Sequence, residues 1–494
     1  MPRTILLSAL AAALIFPTVP LARQEPVDAA MIEKITREAM DRSRVYEAFA
    51  YYVDTIGPRL TASPAYKTAA DWSREQLAKS GLQNARLESW EFGRGWQLDQ
   101  FTLEMVEPRY MPLVGYPEGW SASTPGELIA SPVYAGGASV QELQGMREKL
   151  KGAIVLAQPA QSSFVREDRG QPSDPAYVAP PPAPQRGQGQ GGRGAGQGRG
   201  GAPTAQQVLR EAGPAVVLRT SRGEHGTMFV LGRDQGANAL PSVIVAAEHY
   251  NMIVRMVAAG LPVKLRVNVK TRYLENDRNG YNVLAEMPGQ DPVLKDEVVM
   301  IGAHLDSWHS APGATDNADG AAVVLEAMRV LSAVGAKPRR TIRVALWGGE
   351  EQGLLGSREW VRRHLAGDAN AAARERLSVY LNMDPGSGPI YGWFMQGQAN
   401  ARTIMDAWLA PLTKVGARKN VPDSIGNTDH LSFTAIGVPG FNPIQDYMNY
   451  DVRTHHTNVD TYERVREADL KQAAIVMASF AYHASMRPER FPRP

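Results

Sequence analysis

The chain of 494 residues contains no cysteine. Disulfide bonds, a thiol nucleophile, thiolate metal ligands and a lipid-anchored cysteine are therefore excluded, and the fold must be held by its core alone. An excess of charge of one sign is also lacking, because 53 Lys and Arg residues stand against 51 Asp and Glu residues. This near balance gives no support for a nucleic-acid or polyanion partner.

The N-terminus lacks an apolar run long enough to span a bilayer. The run from Ile5 to Phe16 follows Arg3 and precedes a segment that ends at Ala22. It is shorter than the about 20 residues that a membrane helix needs, and it shows no amphipathic period. We expect residues 1–22 to be a secretory signal peptide, so the protein would be exported, periplasmic or secreted, without a stable membrane anchor. The alternative is a buried N-terminal helix.

Both the length of the chain and a change in its sequence pattern indicate more than one domain. Between residues 101 and 270, short strand-like runs alternate with Gly and Pro turns and carry no cluster of ligand-type residues. We expect this inserted region to be a β-rich domain, with residues 23–100 and 271–494 forming the domain that receives it. Residues 180–201 are rich in Pro, Gln, Gly and Arg, which predicts a disordered loop. An Arg-Gly tract could also bind RNA, but this one has no aromatic residue.

Strand and helix patterns alternate after residue 280, as an α/β fold requires. Apolar β-type runs cover residues 298–303 and 341–346, and a third run closes at Leu381. The pattern predicts an α/β fold with a mixed, largely parallel sheet flanked by helices. Further helices are predicted over residues 28–50, 64–79, 354–364, 401–412 and 467–486.

Histidine or acidic residues follow each of these three runs. His304 ends the first run, Glu350 and Glu351 follow the second, and Asp384 follows the third. Asp316 stands just ahead of a helical pattern. A single His-x-Asp turn or a glutamate pair at a helix start has ordinary structural explanations. Because ligands bind where the strands of an open α/β sheet end, the recurrence predicts a metal site.

One late histidine, either His455 or His456, completes a set of two imidazoles and three carboxylates. This is more than one tetrahedral ion needs and suits two ions that share a bridging carboxylate. Since thiolates are absent, the set suits zinc, with manganese and cobalt as alternatives.

Two further acids are predicted to support the site without binding metal. Asp306, two residues after His304, is placed to hold the second nitrogen of that imidazole. Glu350 stands beside the ligand Glu351, where a general base belongs, because a metal-bound water needs a nearby carboxylate to take its proton.

Five segments of the chain match motifs of a known family. They are His304-Leu305-Asp306-Ser307, Asp316-Asn317-Ala318-Asp319-Gly320, residues 349–357 (GEEQGLLGS), Asn382-Met383-Asp384 and His456-Thr457-x-x-Asp460-Thr461. Together they resemble the di-zinc exopeptidases, a family with bacterial leucyl aminopeptidases and (plasma) glutamate carboxypeptidases. Residues 57–63 resemble the opening segment of that family, and the inserted region resembles its protease-associated domain.

The resemblance implies two zinc ions per chain and a peptide substrate. By this resemblance, His304 and Asp384 would bind one zinc ion. Glu351 and His456 would bind the second, and Asp316 would bridge the two.

The resemblance also implies catalytic roles. Glu350 would be the acid and base. Some leucyl aminopeptidases of the family place a tyrosine shortly before the Ser-Asp-His segment, but here residues 425–427 (IGN) precede Thr428-Asp429-His430. His455 stands where glutamate carboxypeptidase carries a tyrosine, so we predict that it hydrogen-bonds the oxyanion of the tetrahedral intermediate. The alternative is that His455 packs or bonds to backbone.

The expected activity is hydrolysis of a terminal peptide bond. An acyltransferase such as a glutaminyl cyclase, which works with one zinc, and a non-catalytic receptor-like ectodomain are alternatives on the same fold. The complete ligand set argues against both. The patterns leave open the oligomeric state and which peptide end is bound. A carboxylate would need a cation, for which the candidates are Arg402, Arg418, Lys419 and Arg453.

Overall fold

A computed structural model describes residues 25–177 and 203–494. The predicted signal peptide at residues 1–22 and the predicted disordered loop at residues 180–201 lie outside the described residues. Strands and helices are numbered in chain order.

The chain is built around a seven-stranded mixed sheet. In their order across the sheet, its strands are β1 (Gln83–Glu91), β11 (Asn279–Met287), β13 (Thr341–Trp347), β12 (Val298–His304), β14 (Leu377–Asn382), β16 (Gly440–Gln445) and β15 (Ile390–Phe394). Strands β13, β12, β14 and β16 run parallel, whereas the pairs at both edges are antiparallel. The predicted α/β fold with a mixed, largely parallel sheet is confirmed.

Helices cover both faces of this sheet. They are α1 (Ala29–Asp41), α2 (Val45–Ala50), α3 (Pro64–Lys79), α8 (Asp319–Ala333), α9 (Leu355–His364), α10 (Ala371–Arg376), α11 (Arg402–Leu409), α12 (His430–Thr434) and α13 (Glu467–Met486). Successive residues of β12 face opposite cores: Val299 and Ile301 pack in the larger one, and Met300 packs with Trp360 and Phe433 in the other. Burial on both faces explains why the parallel strands read as continuous apolar runs.

Among the N-terminal helices, the local sequence pattern predicts the bounds of one helix correctly and those of another wrongly. Helix α3 has the predicted bounds, and the Ser63 side chain caps it by accepting from the N–H of Tyr66. The single helix predicted for residues 28–50 is wrong, because the chain breaks between α1 and α2. There the Ser43 hydroxyl and the Arg44 N–H both donate to the buried Glu326 carboxylate of α8.

Between β1 and β11 the chain leaves the central sheet and forms two smaller sheets. The first contains, in order, β3 (Met111–Pro112), β2 (Gly95–Glu107), β10 (Lys264–Leu274) and β5 (Leu128–Ala130). The second contains β4 (Gly115–Pro117), β9 (Ser242–Val245), β8 (Val216–Thr220), β7 (Ile154–Leu156) and β6 (Val133–Tyr134). Helices α4 (Val140–Gly145), α5 (Arg147–Leu150), α6 (Ala205–Ala212) and α7 (Ala247–Ala258) belong to the same part of the chain. Within the described ranges, no helix has the length and apolar character needed to cross a membrane.

Candidate metal centre

The four parallel strands end at one edge of the central sheet, and each is followed by a residue predicted for the site. His304 is the last residue of β12, and Asp384 follows β14. Glu351 lies in the turn after β13, and the loop after β16 leads to His456. Because the carboxyl ends of parallel strands meet at one edge, residues far apart in sequence converge there.

His304, Asp316 and Asp384 form one half of the site, which we call the sheet half. The Nε2 atom of His304 lies 3.2 Å from Oδ1 of Asp316 and 3.7 Å from Oδ1 of Asp384. Each of the three offers a ligand atom within 4.8 Å of the others. Ligand atoms around a tetrahedral zinc ion are about 3.3 Å apart, so this spacing suits one ion.

Glu351 and His456 form the other half, which we call the loop half. The Nε2 atom of His456 lies 2.8 Å from Oε2 of Glu351 and 3.4 Å from Oδ2 of Asp316. Asp316 thus directs one carboxylate oxygen to each half. This is the arrangement expected of a carboxylate that bridges two metal ions.

Three atoms of this cluster that could ligate a metal ion are buried without a hydrogen-bond partner among the described residues. They are Nε2 of His304, Oδ2 of Asp316 and Oε1 of Glu351. Buried polar atoms are normally hydrogen-bonded, so these atoms call for another partner. Imidazole nitrogen and carboxylate oxygen are ligands that zinc accepts, and the residues present therefore fit the predicted ions.

The acids of the site are crowded in a buried environment. Burial, together with nearby carboxylates, raises the pKa of Glu350 well above its usual value. Burial and then Asp316 raise the pKa of Glu351 in the same way. Burial also raises the pKa of Asp429 and of Asp460 to about 7. Such an accumulation of carboxylates favours bound cations, which would compensate the negative charge.

Asp306 contacts both His304 and the turn that carries the two glutamates. The Nδ1 atom of His304 lies 3.0 Å from the backbone carbonyl oxygen of Asp306 and 3.7 Å from its carboxylate Oδ1. The carboxylate accepts hydrogen bonds from the backbone N–H groups of Glu350 (3.2 Å) and Glu351 (3.3 Å), and from the Thr61 hydroxyl (3.0 Å). Asp306 therefore orients the imidazole through its backbone and the glutamates through its side chain.

His455 lies beside the loop half. Its ring stacks on Tyr450 at 4.9 Å and lies 3.8 Å from the His456 ring, measured between centroids. Its Nδ1 atom lies 3.9 Å from Oδ1 of Asp451. Burial, followed by the neighbouring His456, lowers the pKa of His455 to about 4. A neutral imidazole of this kind carries one N–H donor, as the predicted oxyanion role requires.

A cavity of about 350 Å³ opens onto the metal site, and its lining includes Glu350 and His455. Two cations that sequence reasoning missed, Arg169 and Arg358, also line it. Arg358 comes directly after residues 349–357 (GEEQGLLGS). Its position next to this motif is the signal that could have identified it. Arg169 lies in the inserted region and binds Asp451, so no local pattern marks it.

The four cations named from the sequence are not among the described residues that line this cavity. Arg402 pairs with Asp406, and the Arg453 guanidinium donates to the Glu224 carbonyl oxygen. The Arg418 guanidinium lies 3.5 Å from the centroid of the Tyr391 ring.

Comparison with known proteins identifies similar chains. Residues 282–481 match the family model of Peptidase family M28. Carboxypeptidase Q of Rattus norvegicus is 27% identical over 454 residues, which cover 92% of this chain and 87% of that protein. The crystal structure of a peptidase M28 precursor from Shewanella amazonensis superposes with a TM-score of 0.71 at 26% identity, covering 94% of this chain and 98% of that one. A zinc aminopeptidase from Bacillus subtilis shares the fold, with a TM-score of 0.61 at 18% identity over 94% of this chain and 97% of its own.

Proposed function

Since residues 282–481 belong to peptidase family M28, as the resemblance predicted, we propose that the chain is a zinc-dependent exopeptidase with two metal ions per chain. The observation that carries this proposal is the pair of half-sites joined by Asp316, with one histidine on each side. The relatives give no support to the acyltransferase or to the receptor-like alternative.

The residues of the site have different roles in the proposed peptide hydrolysis. Zinc bound by His304, Asp316, Glu351, Asp384 and His456 would polarise the scissile carbonyl group and lower the pKa of a water molecule. Glu350 lies in the cavity with its backbone held by Asp306, so it can take a proton from the attacking water and return it to the leaving amine. His455 can donate its N–H to the oxyanion of the tetrahedral intermediate.

The charges of the cavity favour a substrate with a free carboxylate. Its acids, Asp316, Glu350, Glu351 and Asp384, all belong to the predicted ligand set or act as the base, whereas Arg358 lines the same cavity and can bind an anion. Arg169 also lines the cavity, with its guanidinium paired to Asp451. Carboxypeptidases Q of Bos taurus and Rattus norvegicus align by sequence over 92% of the chain. We therefore expect removal of C-terminal residues, or cleavage of dipeptides, rather than aminopeptidase action.

The proposal extends to the rest of the chain. We infer that residues 1–22 direct export to the periplasm or the medium, as the basic and apolar segment predicts. We also infer that the inserted region is a protease-associated domain, flanked by a metallopeptidase domain at residues 23–100 and 271–494. Its own apolar core, which contains Leu156 and Val243, supports this division.

Mass spectrometry of short peptides incubated with the zinc-loaded protein tests the proposal. Peptides with an acetylated N-terminus and a free carboxylate should lose residues, whereas peptides with a free N-terminus and an amidated C-terminus should stay intact. The reverse pattern would assign an aminopeptidase. No cleavage of either set, or of dipeptides with both ends free, by protein that carries two zinc ions would reject the exopeptidase function.

A further inference from the structure

The inserted region contacts the loop between β16 and α13 at two places. At the first, Arg169 and its neighbours bind the part of the loop around Asp451. At the second, residues 224–230 run beside residues 453–458. This second contact reaches His456, the histidine of the loop half.

Backbone and side-chain hydrogen bonds form this second contact. An antiparallel bridge pairs Phe229 with Thr457. Next to it, the Asn458 N–H donates to the Met228 carbonyl oxygen at 3.2 Å. The Asn458 side chain adds two bonds: Oδ1 accepts from the Met228 N–H at 2.6 Å, and Nδ2 donates to the Gly226 carbonyl oxygen at 3.2 Å. Asn458 therefore ties the loop to the edge of the inserted region.

The backbone of His456 shows why such a tie is needed. Its φ angle is 62°, in the left-handed region that residues other than glycine rarely adopt. A residue holds such a conformation only when the surrounding structure imposes it. The His456 carbonyl oxygen accepts a hydrogen bond from the Val230 N–H at 3.0 Å, so the inserted region restrains the ligand residue itself.

His304 has a different support. It ends β12, which pairs with β13 on one side and β14 on the other, so strand ladders fix its backbone. His456 lies outside any strand or helix. Its orientation toward Glu351 and Asp316 therefore depends on contacts made by its loop.

We propose that Asn458 is a positioning residue that, with residues 228–230 of the inserted region, holds His456 in the geometry that binds the second zinc ion. This inference rests on the proposed function. Partners that orient a metal ligand without touching the metal typically change metal affinity by about 10- to 100-fold when they are removed. The zinc ion of the loop half should therefore depend on the inserted region, and the ion of the sheet half should not.

The test compares zinc affinities of full-length variants, measured by competition with a chromogenic chelator. Asn458→Ala should weaken one zinc ion by about 10- to 100-fold and leave the other unchanged. The weakened ion should be the one that His456→Ala loses. Asn458→Asp keeps the acceptor for the Met228 N–H and should restore part of the affinity, which also provides a test if the alanine variant fails to fold. Arg94→Ala is the control, because it breaks the ion pair between Arg94 and Asp234 of the inserted region without touching the loop.

Different results overturn different claims. Two zinc ions bound by Asn458→Ala as tightly as by the parent would overturn the role of Asn458. Equal weakening of both ions, or the same loss in Arg94→Ala, would also overturn it, because the effect would then be a general one. A parent protein that binds no zinc would reject the proposed function itself.

Discussion

His304 ends β12 and pairs with Trp347 of β13, so a strand ladder fixes its backbone. Glu351 and His456 stand instead on loops, and His456 has a left-handed backbone that the inserted region contacts. The His304 side chain is 1% exposed, whereas that of His456 is 25% exposed. A ligand residue at a strand end needs only the sheet to fix its backbone, while a ligand residue on a loop needs contacts from distant segments.

The largest effect should separate the neighbouring glutamates. Glu350→Gln should keep both zinc ions and lose about 100- to 10,000-fold in kcat, because it removes the general base. Glu351→Gln should lose the zinc ion of the loop half. Steady-state kinetics and elemental analysis of both variants measure the difference. Near-normal turnover of Glu350→Gln with zinc retained would assign the base to another residue.

A smaller loss should follow removal of the imidazole beside the loop half. His455→Ala should keep both zinc ions and lose about 100- to 1,000-fold in kcat, as expected when an oxyanion donor is removed. His455→Gln retains an N–H donor and should recover part of that loss. Release of zinc by His455→Ala, with none released by His456→Ala, would reverse the two assignments.

The histidines of the two halves should also contribute differently to the stability of the metal-free protein. The pKa of His304 stands well above its usual value: burial lowers it, but Glu350 and Asp384 outweigh burial. His304→Ala leaves those acids unpaired and should destabilise the metal-free fold by about 3–5 kcal/mol. His456 is partly exposed, and burial lowers its pKa, so His456→Ala should cost clearly less. Equal losses in urea denaturation would contradict the distinction between the halves.

The smallest effect concerns pH and Asp429, whose carboxylate accepts a hydrogen bond from Ser357. Burial raises the pKa of Asp429 from 3.8 to about 7 in the folded protein. A carboxyl group raised in this way stabilises the fold below its unfolded pKa, and this stability is lost as the pH rises through the folded value. Asp429→Asn lacks this titration, so its stability relative to the metal-free parent should rise by about 2–3 kcal/mol between about pH 5 and about pH 8. Urea denaturation at the two pH values checks this, and a flat difference would refute it.

The strands and the capped helix could be predicted because their signals are local. The apolar run at 298–303 becomes β12, and the helix predicted over residues 64–79 becomes α3. The break after α1 could not be predicted, because its cause is the Glu326 carboxylate of a distant helix.

The site likewise combines features that local sequence predicts with features that depend on distant residues. The spacing of His304 and Asp306 predicted a link between them, but the structure adds hydrogen bonds that the backbone N–H groups of Glu350 and Glu351 donate to the Asp306 carboxylate. Arg169 reaches the cavity from the inserted region, and nothing near it in sequence marks that place. The ligand set and the catalytic roles stay predictions for the experiments above.

By itself, the sequence determined the resemblance to the di-zinc exopeptidases, the exclusion of thiolate ligands and the places of His304, Glu351 and Asp384 at or after strand ends, because residue type and apolar period are local properties. The contact between the inserted region and the loop that carries His456 became visible only in the tertiary structure. The physical reason is that this geometry depends on hydrogen bonds such as that between Met228 and Asn458, which are 230 residues apart. Pairing at that separation leaves no periodic signal in the chain.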